Sequence, residues 1–121
     1  MAIMTFALDH GFKVGEVAHH EVGLRELSSG DYIDAQLAAE KVIVNEGVAM
    51  AYTSDVLYGV ELLVRQVEYI GSVQGPISIK ELRKLHQDDF KLLQEKASEL
   101  DELITKELEN RGRSQGAAGT V

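Results

Sequence analysis

The sequence predicts an α+β fold, with an N-terminal β-hairpin or small antiparallel sheet followed by three to four helices. Apolar, partly β-branched runs and glycine turns fill residues 3–26, capping patterns follow, and apolar residues then recur at helical spacing. The chain has 121 residues, of which 45% are hydrophobic and 26% charged, as is typical of one folded domain. We therefore assign residues 1–110 to a single α+β domain.

The N-terminal region is predicted to form strands. The run at 3–8 is apolar, and the Asp-His-Gly sequence at 9–11 is expected to end it as a turn. A second strand is predicted at about 17–27, with Val22 and Leu24 on one face. The intervening segment GFKVGE suits either a third short strand or a wide hairpin loop, and the sequence leaves both open.

Helix starts and turns organise the middle of the chain. Ser28 followed by Asp31 is a capping-box variant that predicts a helix over residues 30–42. The turn residues at 45–47 separate two apolar runs, at 42–44 and 48–52, which are predicted to pair as a small hairpin.

The second half of the chain is predicted to be helical. A helix opens at 53–55, and its stripe of Val, Leu and Ile residues continues to Ile70, where it is expected to pack on the β layer. A full capping box at 78–81 starts the next helix. Asp88 and Asp89 resemble a new helix start, so the sequence leaves open whether the last helix is continuous through His86.

The last predicted helix carries an apolar seam with coiled-coil-like spacing. A domain of this size buries about two thirds of its unfolded surface, so the seam is either core or a surface that associates with itself or with a partner helix. Our hypothesis is that it supplies part of a protein-binding surface. The seam residues are Phe90, Leu93, Ala97, Leu100 and Ile104.

Charge and composition exclude several functions. Twelve basic and twenty acidic residues give a net charge of −8, which disfavours binding to nucleic acid and to anionic membranes. No cysteine is present, so disulfides, thiolate zinc sites and cysteine nucleophiles are excluded. No apolar run approaches the roughly 18 residues of a membrane span. Residues 111–121, RGRSQGAAGTV, are predicted to be a disordered C-terminal tail.

Motifs for catalysis are missing from the sequence. It has no phosphate loop, no dinucleotide-binding glycine pattern and no nucleophile elbow, and the His20-Glu21 start of a zinc-protease motif fails because Leu24 replaces the second histidine. His10 with His19 or His20 is a conceivable two-histidine site, but solvent-exposed histidines explain them better. We therefore predict a protein that is not an enzyme and has no cofactor and no metal.

Two stretches resemble the tail assembly chaperones of Mu-like tailed phages and prophages. The first, VGLRELSSGDYIDAQLAAE at 22–40, is similar to that family's strand-to-helix joint with its Leu-Arg-Glu and Gly-Asp elements. The second, at 61–101, looks like its helix ending in Ile-Gly, followed by Gly-Pro and a last long helix. With the β start, the resemblance covers most of residues 5–104.

The resemblance implies a function without catalysis. Such chaperones bind the long, helical, hydrophobic tape-measure protein in the host cytoplasm, help to recruit tail tube subunits, and are absent from the mature virion. A longer, frameshifted product often shares the N-terminal domain, and 111–121 would then lie near the junction. The alternatives are a minor structural component of the tail or head–tail connector, a small metal protein using the three histidines, and a DNA mimic. Lysines interleaved with the acids argue against mimicry.

Overall fold

The computed structural model describes the backbone of residues 2–119 and the side chains of residues 2–112. Their strands and helices confirm the predicted α+β class. In chain order, the elements are β1 (Met4–Val14), β2 (Val17–Leu24), α1 (Ser29–Ala38), β3 (Glu40–Asn45), β4 (Val48–Thr53), α2 (Asp55–Gln66), β5 (Val67–Ile70), β6 (Val73–Gln74), α3 (Ile79–Leu82) and α4 (Gln87–Gly119).

Two separate antiparallel sheets are formed. The larger has the strand order β1-β2-β5-β6, and the smaller is the β3–β4 hairpin. The larger sheet contains the predicted N-terminal hairpin and adds two short strands from the middle of the chain. The hairpin predicted around residues 45–47 is confirmed, and its turn has positive φ at both Glu46 and Gly47.

The first strand is longer than the sequence predicts. The expected turn at 9–11 is wrong, because β1 continues through it to Val14, with a register shift against β2 between Ala7 and Phe12. Gly11 has a φ of 91°, a conformation that glycine adopts without strain. The irregularity is therefore an interruption within one strand, and the GFKVGE segment forms the end of β1 and the tight turn that leads into β2.

Two predicted helices end earlier in the structure than expected. The helix predicted to reach residue 42 ends at Ala38, because the β-branched run that follows pairs with β4. The helix predicted to reach residue 70 ends at Gln66. Residues Val67–Ile70 instead form β5, where backbone groups pair with the free edge of β2 and with β6.

The core lies between the larger sheet and the helices α2 and α4. Val22 and Leu24 of β2 are fully buried, as the predicted strand face requires, and Leu93 of α4 is 1% exposed. The seam of the last helix thus packs on the sheet. Further core residues are Leu8, Phe12, Leu63, Val64, Val67, Ile70, Ile77, Leu82, Ala97 and Leu100.

The last part of the chain contains two helices. The capping box at Ser78 is present and α3 ends at Leu82, whereas α4 begins at Gln87, so the helix is not continuous through His86. The backbone of α4 continues into the region predicted as a tail. The side chains of 113–121 and the backbone of 120 and 121 lie outside the described residues, so disorder at 111–121 stays a prediction. Among the described helices, none combines the length and apolarity needed to span a membrane.

Candidate protein-binding surfaces

The predicted seam lies mostly inside the molecule. Leu93, Ala97 and Leu100 are buried in the core, whereas Phe90 and Ile104 are partly buried at its margin. In this conformation the three central residues offer no surface to a partner. A binding role for the seam stays a prediction, with Phe90 as the member best placed to contact a partner because it also borders two surface grooves.

The β3–β4 hairpin exposes an apolar surface that sequence reasoning missed. All twelve of its strand residues are exposed. Six large side chains, each 49–69% exposed, define what we term the hairpin surface: Val42, Ile43, Val44, Val48, Met50 and Tyr52. The signal in the sequence was the continuous apolar character of both strands, which is typical of strands buried on both faces rather than on one.

The register of the hairpin places apolar side chains on both of its faces. Residues opposite each other in an antiparallel pair point to the same side of the sheet. One face therefore carries Ile43 with Met50, and the other carries Val42 with Ala51 and Val44 with Ala49. The hairpin thus has no polar face to present to solvent.

A second candidate surface is a groove between α2, α3 and the start of α4. Its volume is about 540 Å³, and we term it the helix groove. A neighbouring groove of about 500 Å³ between α2 and α4 shares Val56, Val60 and Phe90 with it. Val56 is 80% exposed. The helix groove is lined by Lys41, Ser54, Val56, Leu57, Val60, Ile79, Leu82, Arg83, Leu85, Gln87 and Phe90.

Asp89 joins the start of α4 to β1 through buried hydrogen bonds. Its side chain is fully buried, and its two oxygens accept hydrogen bonds from the backbone N–H groups of Asp9, His10 and Gly11 at 2.8–3.3 Å. The sequence predicts Asp88 or Asp89 as a helix cap. The structure places Asp89 inside the first turn of α4, which begins at Gln87, and its carboxylate accepts hydrogen bonds from the irregular part of β1, about eighty residues away in the chain.

Arg25 and Asp31 join the larger sheet to α1. Arg25 donates to both oxygens of Asp31, at 2.8 and 2.9 Å, and Asp31 also completes the capping box with Ser28. The hydrogen bonds from Arg25, together with those from Ser28, hold the pKa of Asp31 well below its ordinary value. This pair therefore joins the residue after β2 to the first turn of α1.

His10 and His86 lie where β1 meets the start of α4, whereas His19 of β2 lies beside Gly71. The rings of His10 and His86 stack with centroids 3.6 Å apart, and His10 Nε2 lies 3.2 Å from Asp88 Oδ2. These three exposed groups could converge on a metal ion. However, His86 Nδ1 already accepts the backbone N–H of Asp88 at 3.1 Å. His20 Nδ1 lies 2.8 Å from the carbonyl oxygen of Leu8. We assign no metal site.

Comparisons with known proteins identify one family. The family described as "Tail assembly protein gp41" matches residues 8–113. The Mu-like prophage FluMu protein gp41 of Haemophilus influenzae is 38% identical over 111 residues, covering 91% of this chain and 87% of that protein. The probable tail assembly protein gp41 of Escherichia phage Mu is 39% identical over 95 residues, covering 78% and 66%.

A longer relative is also found. The probable tail assembly protein FS-gp41 of phage Mu is 43% identical over 74 residues, which cover 61% of this chain but 39% of that protein. The chain therefore spans well under half of FS-gp41 and slightly less than two thirds of Mu gp41. No solved structure matches the chain.

Proposed function

The chain belongs to the tail assembly protein gp41 family of Mu-like phages and prophages, and from this we propose that it is a tail assembly chaperone that binds the tape-measure protein. We further propose that it assists assembly of the tail tube, with tube subunits as additional partners, and that it acts without catalysis. The descriptions of the family and its relatives support a role in tail assembly. The resemblance to tail assembly chaperones implies that the bound partner, or client, is the tape-measure protein.

The helix groove is the observation that carries the proposal. Apolar side chains of three helices line it, among them Leu57, Val60 and Phe90. Grooves of this kind receive the apolar face of an amphipathic helix, whose anchors recur at helical spacing. A long helical client such as a tape-measure protein offers many such faces, and reversible contact with one of them would keep it from aggregating.

The charge distribution supports a chaperone role. Arg83 lies at the rim of the groove, although the chain carries a net charge of −8. We therefore expect the bound segment to carry an acidic residue beside its apolar stripe, where it can reach Arg83. The remaining negative charge would keep the complex of chaperone and client dispersed.

The place of action is proposed on the same basis. We propose that the chain works in the host cytoplasm and is absent from the mature virion. A minor structural component of the tail or head–tail connector would remain in the particle. Mass spectrometry of purified virions separates these roles, because recovery of the chain in fixed proportion to the tube protein would favour the structural role.

Binding to the tape-measure protein can be tested with a substitution at one exposed residue of the grooves. Val56→Glu places a charge between the two grooves at a residue that is 80% exposed, so the fold should be retained. We expect at least roughly tenfold weaker binding to tape-measure fragments in isothermal titration calorimetry. Leu103→Glu is the matched control, because Leu103 is an exposed apolar residue on α4 that lies outside both grooves. Unchanged binding by Val56→Glu would refute the groove as the client site.

A further inference from the structure

We propose that the hairpin surface is a self-association site, and that its occupant is the same hairpin of a second copy of this chain. The inference concerns the β3–β4 hairpin, not the helix groove. It goes beyond binding of the tape-measure protein, and its test requires only the chain itself.

The first argument is that, within one copy of the chain, the hairpin lacks a further strand partner and a layer that covers its apolar side chains. An isolated two-stranded hairpin is at best marginally stable in water, and stability requires a further strand or a covering layer. Here β3 and β4 pair only with each other among the described strands, and all twelve residues are exposed. Strands with continuous apolar runs normally lie buried on both faces. Another polypeptide must therefore supply the missing cover.

The second argument concerns the kind of partner. The outer edges of β3 and β4 have backbone N–H and C=O groups that point away from the hairpin, and such edges are templates for another strand. A helical client satisfies its own backbone groups and cannot pair with them. A second hairpin has unpaired backbone groups that can pair with a strand edge and apolar side chains that can cover an apolar face. Another copy of the chain therefore fits better than a helix.

The third argument is electrostatic. The hairpin from Glu40 to Thr53 contains one lysine and two glutamates, whereas the whole chain has a net charge of −8. Two copies therefore repel each other least where their hairpins meet. The near-neutral surface also offers little to attract a strongly charged partner. A contact between identical surfaces is isologous, which is the arrangement of most homodimers.

The size of the surface suits a dimer contact. Six large apolar side chains, each 49–69% exposed, contribute on the order of 100 Å² apiece. Four of them, Ile43, Val48, Met50 and Tyr52, share one face, so that face exposes on the order of 400 Å² of apolar surface, which is the size of a small interface. An exposed apolar patch of this size is often functional. Leu37, near the end of α1, is also 64% exposed.

Analytical ultracentrifugation of the purified full chain tests the proposal. We expect the wild type to sediment as a dimer or larger assembly at micromolar concentration and to melt at a higher temperature as its concentration rises. Val44→Glu and Met50→Glu each place a charge on one face of the hairpin, and at least one of them should shift the chain to monomer. Leu103→Glu is the matched control, because Leu103 is also exposed and apolar but lies on α4, outside the hairpin and both grooves.

Three results would overturn the proposal. One is a wild type that stays monomeric up to roughly 100 µM. Another is self-association that survives both hairpin substitutions. The third is a Val44→Glu or Met50→Glu variant that still self-associates but no longer binds the tape-measure protein. The hairpin would then be the surface that binds the client. Far-ultraviolet circular dichroism of each variant shows whether the fold is retained. Failure of the groove proposal would appear separately, as normal client binding by Val56→Glu.

Discussion

The two sheets of this chain are built from similarly apolar strands but have opposite environments. In the larger sheet, Val22 of β2 is 1% exposed beneath α4, whereas Val44 of β3 is 69% exposed in the hairpin. The larger sheet is tied to distant elements by β5 and by Asp89. The hairpin is linked to the rest of the chain at its base, where the Ser54 N–H donates to the Ala39 carbonyl at 3.0 Å.

This difference separates two uses of an apolar strand. In the larger sheet, apolar side chains stabilise the domain, because their burial removes surface from water within one chain. In the hairpin, the same type of side chain is exposed and contributes little to the isolated chain, and we propose that it acts when another chain covers it. On this proposal, the larger sheet stabilises the domain and the hairpin mediates assembly. Substitutions in one sheet should therefore change one property without changing the other.

The largest expected effect comes from removing the anchor of the larger sheet. Asp89→Ala leaves three backbone N–H groups of β1 without their buried acceptor. We expect the free energy of unfolding to fall by at least about 3 kcal/mol, measured by urea denaturation. Asp88→Ala, its exposed neighbour, should change stability by less than about 0.5 kcal/mol. Equal effects of the two substitutions would mean that the Asp89 hydrogen bonds do not hold the sheet.

A matched pair of valines tests the comparison directly. Val22→Ala should lower the free energy of unfolding by about 2 kcal/mol, because it opens a cavity in the core. Val44→Ala should change the stability of the monomer by less than about 0.5 kcal/mol. Denaturation should be followed at a concentration where the chain is monomeric. A large cost at Val44 would show that the hairpin is part of the domain core.

The sequence predicted secondary structure correctly where that structure depends on residues close together in the chain. The capping boxes at Ser28 and Ser78 and the turn at Glu46-Gly47 depend on residues within a few positions of one another, and all are present. The predicted helix to residue 70 failed because β5 depends on a free edge of β2, which lies more than forty residues away in the chain. Helical spacing of apolar residues does not reveal such an edge.

The candidate sites show the same limit. The seam was identified correctly as apolar, but whether it is core depends on how far α4 packs over the sheet, which Asp89 determines through contacts with β1. The hairpin was predicted from its strands and turn, yet its exposure depends on which elements cover it. The pattern of apolar residues along a helix or strand therefore predicts that one of its faces is buried. It does not predict whether the surface that covers this face belongs to the same molecule.

The smallest expected effect concerns the link between the larger sheet and α1. Arg25→Ala removes two hydrogen bonds to Asp31 and should lower the free energy of unfolding by about 1–2 kcal/mol at neutral pH. Arg83→Ala, at an exposed position, is the control.

The pH dependence of this effect follows from the lowered pKa of Asp31. A carboxyl group whose pKa is lower in the folded state stabilises the fold fully above its ordinary pKa, near 4, and loses that contribution as the pH falls toward the folded value. The difference between wild type and Arg25→Ala should therefore be constant from pH 6 to 8 and shrink below about pH 4. A difference that persists unchanged at pH 2–3 would show that Arg25 acts through packing rather than through the charge of Asp31.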